Sequence, residues 1–350
     1  QDHEFLLRLT EQTSQIQHIP RVLYHWRRSE TSTSLSSDAK PGALLSARKA
    51  LQNTLKRRNI EAEVLDEKAP FFFRVKRKIH DVPLVSIVIP FRDKPDLLSL
   101  CVNSILDHST YENYEIVAIS NNSRSSETYS LVSKLEEKSK RFRCIEFNEE
   151  FNFSRVVNYG VSQSKGEYLI ILNNDIEVIS WDWIEAMLEH AQRDEVGAVG
   201  AKLYYPNDTI QHAGIVIGLG GYAGHSHKHS LSNSSGYFNR LHTIHNVSAV
   251  TGACLMISRA KYDDIGGFDE ENFKIAYNDV DFCLRLRDKG LLNIFTPYAE
   301  LYHHESISRG YEDTEEKIER FSGEKDRLHE RHAAIFETGD PYYNRNLTHD

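Results

Sequence analysis

The sequence predicts an α/β fold in which helices flank a mostly parallel central sheet, preceded by a helical N-terminal appendage. Short apolar, β-branched runs such as Val85-Ser-Ile-Val-Ile-Pro90 have the length of buried strands. They alternate with segments of helical spacing, and strands joined by helices form parallel sheets through right-handed crossovers. The 350 residues, 40% of them hydrophobic, provide enough apolar material for a large core.

The predicted elements begin with a helix at residues 41–59, which starts near Pro41 and carries apolar side chains at helical spacing. Residues 61–81 are expected to form a linker. The strand at residues 85–90 leads to a helix that Asp93-Lys-Pro-Asp96 is expected to cap. Further strands are predicted at residues 115–119, 144–147 and 167–172, with a helix at about 127–138.

The chain changes character beyond Asp194, where Gly and His become frequent at about residues 214–235. The three alternating histidines of Gly220-Gly-Tyr-Ala-Gly-His225-Ser-His227-Lys-His229 leave three interpretations open: a mobile lid, which we favour, a zinc site and a plain surface loop. An apolar run follows at residues 248–257. Residues 313–336 are predicted to form a charged amphipathic helix, and residues 340–344 a closing tail.

Composition excludes several classes of protein. The formal charge of −9 argues against nucleic-acid binding, and no apolar run approaches the roughly 20 residues that span a bilayer. Four widely spaced cysteines indicate free thiols and a cytoplasmic location. Basic clusters at Lys56-Arg57-Arg58 and Arg74 to Lys78 leave two alternatives, peripheral contact with the anionic inner face of a bacterial inner membrane or a solvated helix face.

An internal repeat links the two ends of the chain. Gln1-Asp-His-Glu-Phe-Leu-Leu-Arg-Leu9 aligns with Asn278-Asp-Val-Asp-Phe-Cys-Leu-Arg-Leu286, and Leu23-Tyr-His25 aligns with Leu301-Tyr-His303 at nearly the same distance. We therefore expect residues 1–80 to be the tail of a preceding homologous domain plus a linker. The alternative is a chance similarity between two amphipathic helices.

Three polar clusters follow predicted elements and are the candidates for chemistry. Asp175 ends a buried strand, where it can hold a divalent cation or merely cap a turn. Asp279 and Asp281 begin a predicted helix, where an acid can act as a general base or as an N-cap. The histidines of Tyr302-His-His-Glu-Ser306 end a probable strand and are potential metal ligands.

Together these motifs resemble the family 2 glycosyltransferases, especially the branch that builds bacterial surface polysaccharides, with its rhamnosyltransferases and O-antigen enzymes. The resemblance extends from Pro83 to Gly310 and implies a GT-A, Rossmann-like catalytic domain at residues 81–310, followed by a C-terminal helix and tail at 311–350. The motifs that carry it are Val85-Ser-Ile-Val-Ile-Pro90, Phe151-Asn-Phe-Ser154 with Asn158, Gly166-Glu-Tyr-Leu-Ile-Ile-Leu-Asn-Asn-Asp175, Gly266-Gly-Phe-Asp269, Asn278-Asp-Val-Asp-Phe-Cys-Leu-Arg-Leu286 and Tyr302-His-His-Glu-Ser306.

The resemblance also implies roles for individual residues. Asp175 would bind Mn²⁺ or Mg²⁺ on the donor diphosphate, with His303, preferred to His304, as the second ligand. Asp279 would be the general base and Asp281 a supporting acid. The sequence departs from the family pattern at two positions, with Asn173 and Ser120 where the family usually has an acid. The expected donor-binding residues are Pro90, Asp93, Ser120, Asn121, Asn158, Asn173, Asn174 and His225.

The predicted function is an inverting, metal-dependent transfer of a hexose or deoxyhexose, with rhamnose as one possibility. The donor would be a nucleoside-diphosphate sugar, and the acceptor a hydroxyl of a growing glycan or of a lipid-linked acceptor. A catalytically silent glycan-binding or scaffold domain of a tandem synthase is the alternative that Asn173 and Ser120 keep open. Nucleotidyl transfer is disfavoured because Phe91-Arg-Asp-Lys-Pro95 lacks the glycines of a phosphate loop.

Overall fold

The computed structural model describes residues 2–25, 41–304 and 314–348. They fall into two compact units, one formed by residues 2–25, 41–78 and 344–348 and the other by residues 79–304 and 314–343. Residues 305–313, which include Glu305, Ser306 and Asp313 of the predicted motifs, lie outside the described residues. No helix in the described ranges has the length and apolar character needed to cross a membrane.

The smaller unit contains two helices and a hairpin: α1 (Asp2–Leu9), α2 (Pro41–Arg57), β1 (Ala62–Asp66) and β2 (Phe73–Arg77). Helix α2 confirms the prediction for residues 41–59. The prediction of a linker at residues 61–81 is wrong, because β1 and β2 pair antiparallel with Val64 opposite Val75. Arg57 donates two hydrogen bonds of 2.8 Å to Glu11, so this cation of the basic cluster is already paired.

The first half of the larger unit alternates strands and helices as predicted. Its elements are β3 (Val85–Phe91), α3 (Pro95–Asp107), β4 (Tyr114–Asn121), α4 (Ser126–Lys138), β5 (Phe142–Phe147), α5 (Phe153–Gln163) and β6 (Tyr168–Leu172). Strand β3 is buried along its whole length, as expected for a central strand of a sheet that is covered on both faces. The four strands run parallel to one another in the order β6-β3-β4-β5.

The second half adds shorter strands and the remaining helices. Its elements are β7 (Ile176–Val178), α6 (Trp183–Ala191), β8 (Val196–Tyr204), β9 (Ile210–His212), β10 (Ile215–Ile217), β11 (Ala223–His225), β12 (His245–Val247), β13 (Cys254–Ser258), α7 (Arg259–Asp264), α8 (Asn278–Asp288), β14 (Leu292–His303), α9 (Glu315–Arg331) and α10 (Ala333–Thr338). The single helix predicted at residues 313–336 is therefore divided, at His332, into α9 and α10.

One large sheet organises the larger unit, with the strand order β12-β14-β8-β13-β6-β3-β4-β5. Strands β8 and β14 are parallel to each other, and β13 is antiparallel to both β6 and β8, so six of the eight strands run in one direction. Helices α3 and α6 contribute to the core on one face, and α5 and α8 to the core on the other. The predicted α/β fold with a mostly parallel sheet is confirmed.

Candidate active site

Asp175 and His303 meet at the edge of the sheet. Strand β7 pairs antiparallel with the end of β14 and places His303 opposite Ile176, next to Asp175. The Asp175 Oδ1 atom lies 3.3 Å from His303 Nε2, and both side chains are buried. Asn173 Nδ2 lies 3.3 Å from the same His303 nitrogen. Strand pairing therefore brings a carboxylate and an imidazole together from positions 128 residues apart.

The Asp175 and His303 side chains suit an octahedral cation that keeps other ligands. Two adjacent ligands about 2.1 Å from such an ion lie about 3 Å apart, close to the observed Asp175–His303 separation. Among the described residues no three His, Cys, Asp or Glu side chains form a metal cluster. Magnesium-type sites need only one or two protein ligands, because substrate phosphates and water complete the coordination. The residues present thus fit a cation that is shared with a diphosphate.

His304 is engaged elsewhere. Its Nε2 lies 3.0 Å from Glu177 Oε2, and its backbone N–H donates to the Asp175 carbonyl oxygen over 2.9 Å. Successive side chains of a strand point to opposite sides, so only one of the two histidines can face Asp175. The geometry favours His303 over His304.

Asn174 adds a buried amide to this site. It is 7% exposed, and within the described part of the chain its Nδ2 has no hydrogen-bond acceptor. A buried N–H group without an acceptor is costly unless a ligand or water satisfies it. Asn174 is therefore a candidate donor to an anionic ligand beside Asp175.

Asp279 lies in the first turn of α8, where its carboxylate is held by two backbone N–H groups. Gly252 donates to Oδ2 and Val280 donates to Oδ1, both over 2.8 Å. The loop that carries Gly252 also contacts Asn173, whose backbone N–H donates to the Ala253 carbonyl over 3.0 Å. Adjacent residues of one loop thus contact the carboxylate at α8 and the Asn-Asn-Asp turn after β6. Gly252 was not predicted as a functional residue, because its only signal in the sequence is that a glycine interrupts the apolar run 248–257.

His212 fastens the same loop and stays neutral. Its Nδ1 lies 2.8 Å from the Ala201 carbonyl, while Nε2 accepts hydrogen bonds from the N–H groups of Gly214 and Thr251. Burial lowers its pKa to about 3. The ring of His225 packs edge-on at 5.2 Å, and its Nδ1 contacts the Gln211 carbonyl. His225, which is expected to bind the sugar donor, thus packs against His212.

Asp281 is fully buried, and three side chains contact its carboxylate. Arg285 Nε lies 2.8 Å from Oδ2, and Arg331 Nη1 and His332 Nε2 each lie 3.0 Å from Oδ1. Burial alone would raise the pKa of Asp281, but the hydrogen bond from His332 and the charge of Arg285 outweigh it and lower that pKa. Because residues i and i+2 of a helix do not face each other, Asp281 anchors α8 rather than sharing the position of Asp279.

The predicted nucleotide-side residues lie at the ends of β3 and β4. Pro90 and Ser120 are buried, and Asn121 donates its amide to the carbonyls of Phe147 and Glu149. Asp93 does not cap α3, which Lys94 precedes without any side-chain cap. Its Oδ1 instead accepts from two backbone N–H groups ahead of α4, those of Arg124 and Ser125, both over 2.9 Å. The hydrogen bond from Ser125, opposed by burial, lowers the pKa of Asp93.

Asn158 has a structural role. Its Nδ2 donates to the Phe268 carbonyl over 2.9 Å and to Glu270 Oε1 over 2.7 Å. Its Oδ1 accepts from Phe268 N–H and from the Tyr262 hydroxyl. All of the hydrogen-bonding capacity of its side chain is used within the protein, which argues against a direct contact between Asn158 and the donor.

The zinc interpretation of the histidine-rich loop finds no support, because its histidines have separate partners. His225 contacts Gln211, His227 Nε2 accepts from Tyr237 N–H over 3.1 Å, and His229 stacks on Tyr205. The glycine turn before them has positive φ at Gly218, Gly220 and Gly221, and Lys325 Nζ covers the Tyr222 ring at 3.8 Å. The role of this segment as a lid remains a prediction.

The model of a family described as "Glycosyl transferase family 2" matches residues 86–266, slightly more than half of the chain. The chain belongs to glycosyl transferase family 2. Membership of this family was predicted from the motifs and is confirmed, and it makes the protein a glycosyltransferase by family.

The first two relatives of this glycosyltransferase are much longer than the chain. The protein y4gI of Sinorhizobium fredii is 44% identical over 350 residues, which are 99% of this chain and 38% of that protein. The O-antigen biosynthesis protein RfbC of Myxococcus xanthus is 37% identical over 353 residues, which are 99% of this chain and 27% of that protein. An N-acetylglucosaminyl-diphospho-decaprenol L-rhamnosyltransferase of Mycobacterium tuberculosis is 39% identical over 64 residues, 18% of this chain and 20% of that protein. The chain therefore spans less than two fifths of the first two relatives.

Solved structures share the fold. The crystal structure of GalNAc-T7 with UDP, GalNAc and Mn²⁺ matches with a TM-score of 0.57 and 15% identity, over 76% of this chain and 51% of that chain. The mannosyltransferase PcManGT from Pyrobaculum calidifontis, in complex with GDP-Man and Mn²⁺, matches with a TM-score of 0.50 and 15% identity, over 85% of this chain and 81% of that chain. The glycosyltransferase domain thus has the expected GT-A type α/β fold.

Proposed function

We propose that this domain transfers a sugar from a nucleoside-diphosphate sugar to a hydroxyl of a growing surface polysaccharide, with inversion at the anomeric carbon and with a divalent cation. The observation that carries the proposal is the junction at residues 252–253. One loop holds the Asp279 carboxylate through Gly252 and the Asn-Asn-Asp turn through Ala253. A base and a diphosphate site that are fixed by adjacent residues suit direct displacement.

Asp279 is the general base in this mechanism. Its carboxylate takes the proton from the acceptor hydroxyl as that oxygen attacks the anomeric carbon from the face opposite the leaving diphosphate. The Gly252 and Val280 N–H groups orient the carboxylate without neutralising it. One base is sufficient, because a single displacement forms no covalent sugar intermediate, in contrast to the paired carboxylates of retaining glycosidases.

The leaving diphosphate would be bound at the Asp175 end of the sheet. Asp175 and His303 would hold a Mn²⁺ or Mg²⁺ ion, which when bound neutralises charge that develops on the phosphate oxygens. The Asn174 amide, buried and without an acceptor in the described chain, would donate to one of these oxygens. Ser120 and Asn121 at the end of β4 would contact the nucleoside. One structural neighbour was solved with UDP, GalNAc and Mn²⁺ and the other with GDP-Man and Mn²⁺, which supports a nucleotide-linked donor and a divalent cation.

The sugar and acceptor are proposed from the relatives. One relative is an O-antigen biosynthesis protein, and another transfers L-rhamnose to a diphospho-decaprenol-linked N-acetylglucosamine. We therefore propose a hexose or deoxyhexose donor, with a rhamnosyl donor tested first, and a lipid-linked glycan acceptor. This acceptor would place the domain at the inner face of a bacterial inner membrane.

The test is calorimetric titration with a panel of UDP-, GDP- and dTDP-sugars in the presence of Mn²⁺, Mg²⁺ or EDTA, together with a transfer assay. We expect one donor to bind in a metal-dependent manner. Asp279→Asn should keep that affinity and lose transfer by about 10²–10⁴-fold, the usual contribution of a general base. Asp264→Asn, which changes an exposed acid paired with Lys289, is the matched control and should transfer normally.

Two results would contradict the proposal. Transfer that survives in Asp279→Asn would remove the base from its role. Failure of every donor to bind with either ion would instead favour a silent glycan-binding or scaffold domain, an alternative suggested by the amide of Asn173 beside His303.

We further propose that residues 2–25 are the end of a second copy of this domain. Helix α1 corresponds to α8, and the Glu4–Arg8 pair at 2.7 Å repeats the i, i+4 pair of Asp281 and Arg285. Phe5 is 56% exposed, whereas its counterpart Phe282 is fully buried. An exposed apolar side chain at this position suits a helix that packs on a sheet in a complete copy of the domain.

Hydrogen exchange tests this proposal. Residues 2–25 should exchange rapidly in the isolated chain and become protected in the protein expressed from the complete gene. Equal exchange in both proteins would refute the assignment. The alignment of His25 with His303 also predicts that the preceding copy has its own cation site.

A further inference from the structure

Helix α9 presents one face to the segment that leads into the candidate base. Residues 324, 327, 328 and 331 have the i, i+3, i+4, i+7 spacing of a single helical stripe. Leu328 on this stripe is fully buried. Arg327 donates to the Asn272 carbonyl over 3.0 Å, and Arg331 bridges Asp269 at 2.8 Å and Asp281 at 3.0 Å. The stripe therefore contacts the chain from residue 269 to residue 281.

Glu324 on this stripe binds the backbone of the segment before α8. Its carboxylate is fully buried and accepts three successive backbone N–H groups. Lys274 and Ile275 donate to Oε1 over 2.8 and 3.1 Å, and Ala276 donates to Oε2 over 2.8 Å. Consecutive N–H groups that point to one side form an anion-binding concavity. A carboxylate as deeply buried as this one is stable because these donors replace water, and Arg320 Nε lies 3.8 Å from Oε2.

The N–H groups bound by Glu324 precede the base by a few residues. Ala276 is followed by Tyr277, a bulky residue held in the left-handed region at φ 56° and ψ 10°. Such a conformation persists only where the surroundings enforce it. Asn278 then donates its amide to the Ile275 carbonyl over 2.9 Å, and Asp279 follows in the first turn of α8. The direction of the Asp279 side chain thus depends on the loop that Glu324 holds.

We infer that Glu324 is a positioning residue for Asp279 and that α9 belongs to the catalytic machinery of the domain. The inference rests on the proposed function. In this role Glu324 acts through the backbone and not on the substrate. It holds the N–H groups of residues 274–276 in place, and these residues hold the left-handed turn at Tyr277. That turn sets the orientation of Asp279. Both α8 and α9 lie beyond residues 86–266, so the family match alone does not identify this coupling.

The test is Glu324→Gln. Glutamine keeps the shape of the side chain but replaces one acceptor oxygen by an NH₂ group, which would face a backbone N–H donor. We expect kcat for transfer to fall by about 10–100-fold, the size of effect that a displacement of about 1 Å can have. The dissociation constant of the donor with Mn²⁺ should change by less than twofold, because the Asp175–His303 pair is positioned by the pairing of β7 with β14 rather than by residues 274–276. Glu319→Gln on the exposed side of α9 is the matched control.

Two further measurements separate positioning from a loss of fold. Glu324→Asp, which keeps the charge, should recover part of kcat and provides the comparison if the Gln variant is unfolded. In an Asp279→Asn background, Glu324→Gln should cost little additional activity, because a positioning residue has no effect once the base is gone. Equal loss in both backgrounds, or an unchanged kcat, would overturn the inference. A wild type that binds no donor would overturn the proposed function, and this inference with it.

Discussion

Replacing Asp281 by Asn should destabilise the larger unit strongly although the two side chains have the same shape. The wild-type carboxylate is fully buried, and it contacts Arg285 at 2.8 Å and Arg331 and His332 at 3.0 Å. Removing the negative charge leaves the guanidinium groups of Arg285 and Arg331 facing a neutral amide, whose NH₂ group cannot accept hydrogen bonds. Loss of one member of a buried ion pair costs about 3–5 kcal/mol.

This free energy corresponds to a measurable shift of the melting temperature. Domains of roughly this size lose about 2–4 °C per kcal/mol, so Asp281→Asn should lower Tm by about 6–20 °C in differential scanning calorimetry. The matched control is Asp264→Asn, which removes an exposed pair with Lys289 close to the other end of α8 and should change Tm little. A shift in Asp281→Asn no larger than that of the control would refute the reasoning.

The stability difference between wild type and Asp281→Asn should also depend on pH. The folded state lowers the pKa of Asp281, so its contribution is complete above the unfolded value of about 3.9 and is lost as the pH falls through the folded value. The two proteins should therefore converge in stability below about pH 4. A difference that stays constant down to pH 3 would place the effect in packing rather than in charge.

Three further outcomes are expected. His303→Ala should weaken Mn²⁺ binding by at least roughly 10-fold, whereas His304→Ala, which removes the partner of Glu177, should leave it unchanged; titration of Mn²⁺ checks both. Asn158→Ala should cost roughly 2–4 kcal/mol in urea unfolding without changing donor affinity, because it leaves Phe268 N–H without an acceptor. His212 stays neutral to about pH 3, whereas an unfolded His takes up a proton near pH 6.5, so stability should fall with decreasing pH by up to about 1.4 kcal/mol per unit, and His212→Gln should flatten this slope.

The family, strands β3 to β6 and helices α2, α3 and α4 could be predicted because their signals are local. Apolar runs of strand length, helical spacing and caps are written in neighbouring residues, and the bounds of β3, β4, β5 and β6 follow the predicted runs closely. The hairpin at residues 62–77 was not predicted, because its charged residues obscure the alternation of buried and exposed side chains. In addition, Val75, the cross-strand partner of the buried Val64, lies eleven residues further along the chain. A short charged hairpin has no strong local signal.

The candidate site was predicted only in part, because its residue types are local and its contacts are not. Asp93 illustrates the difference. Its place before a Pro suggested a cap for α3, but positive φ at Asp93 and Lys94 turns the carboxylate toward the N–H groups of residues 124 and 125. In the sequence, Glu324 is one of many charged residues on an amphipathic helix. Only the tertiary structure shows that its carboxylate binds backbone N–H groups 48 to 50 residues earlier in the chain.

The sequence by itself determined the fold class, the order of strands β3 to β6 and the motifs that contain the proposed cation ligand and the proposed base. Tertiary structure decided between chemically identical neighbours. It places His303 rather than His304 beside Asp175, and Asp281 rather than Asp279 beside Arg285 and Arg331. The physical reason is that periodicity and capping act over a few residues. The partner of a polar side chain is instead set by strand register and helix packing, which join positions 50 to 130 residues apart.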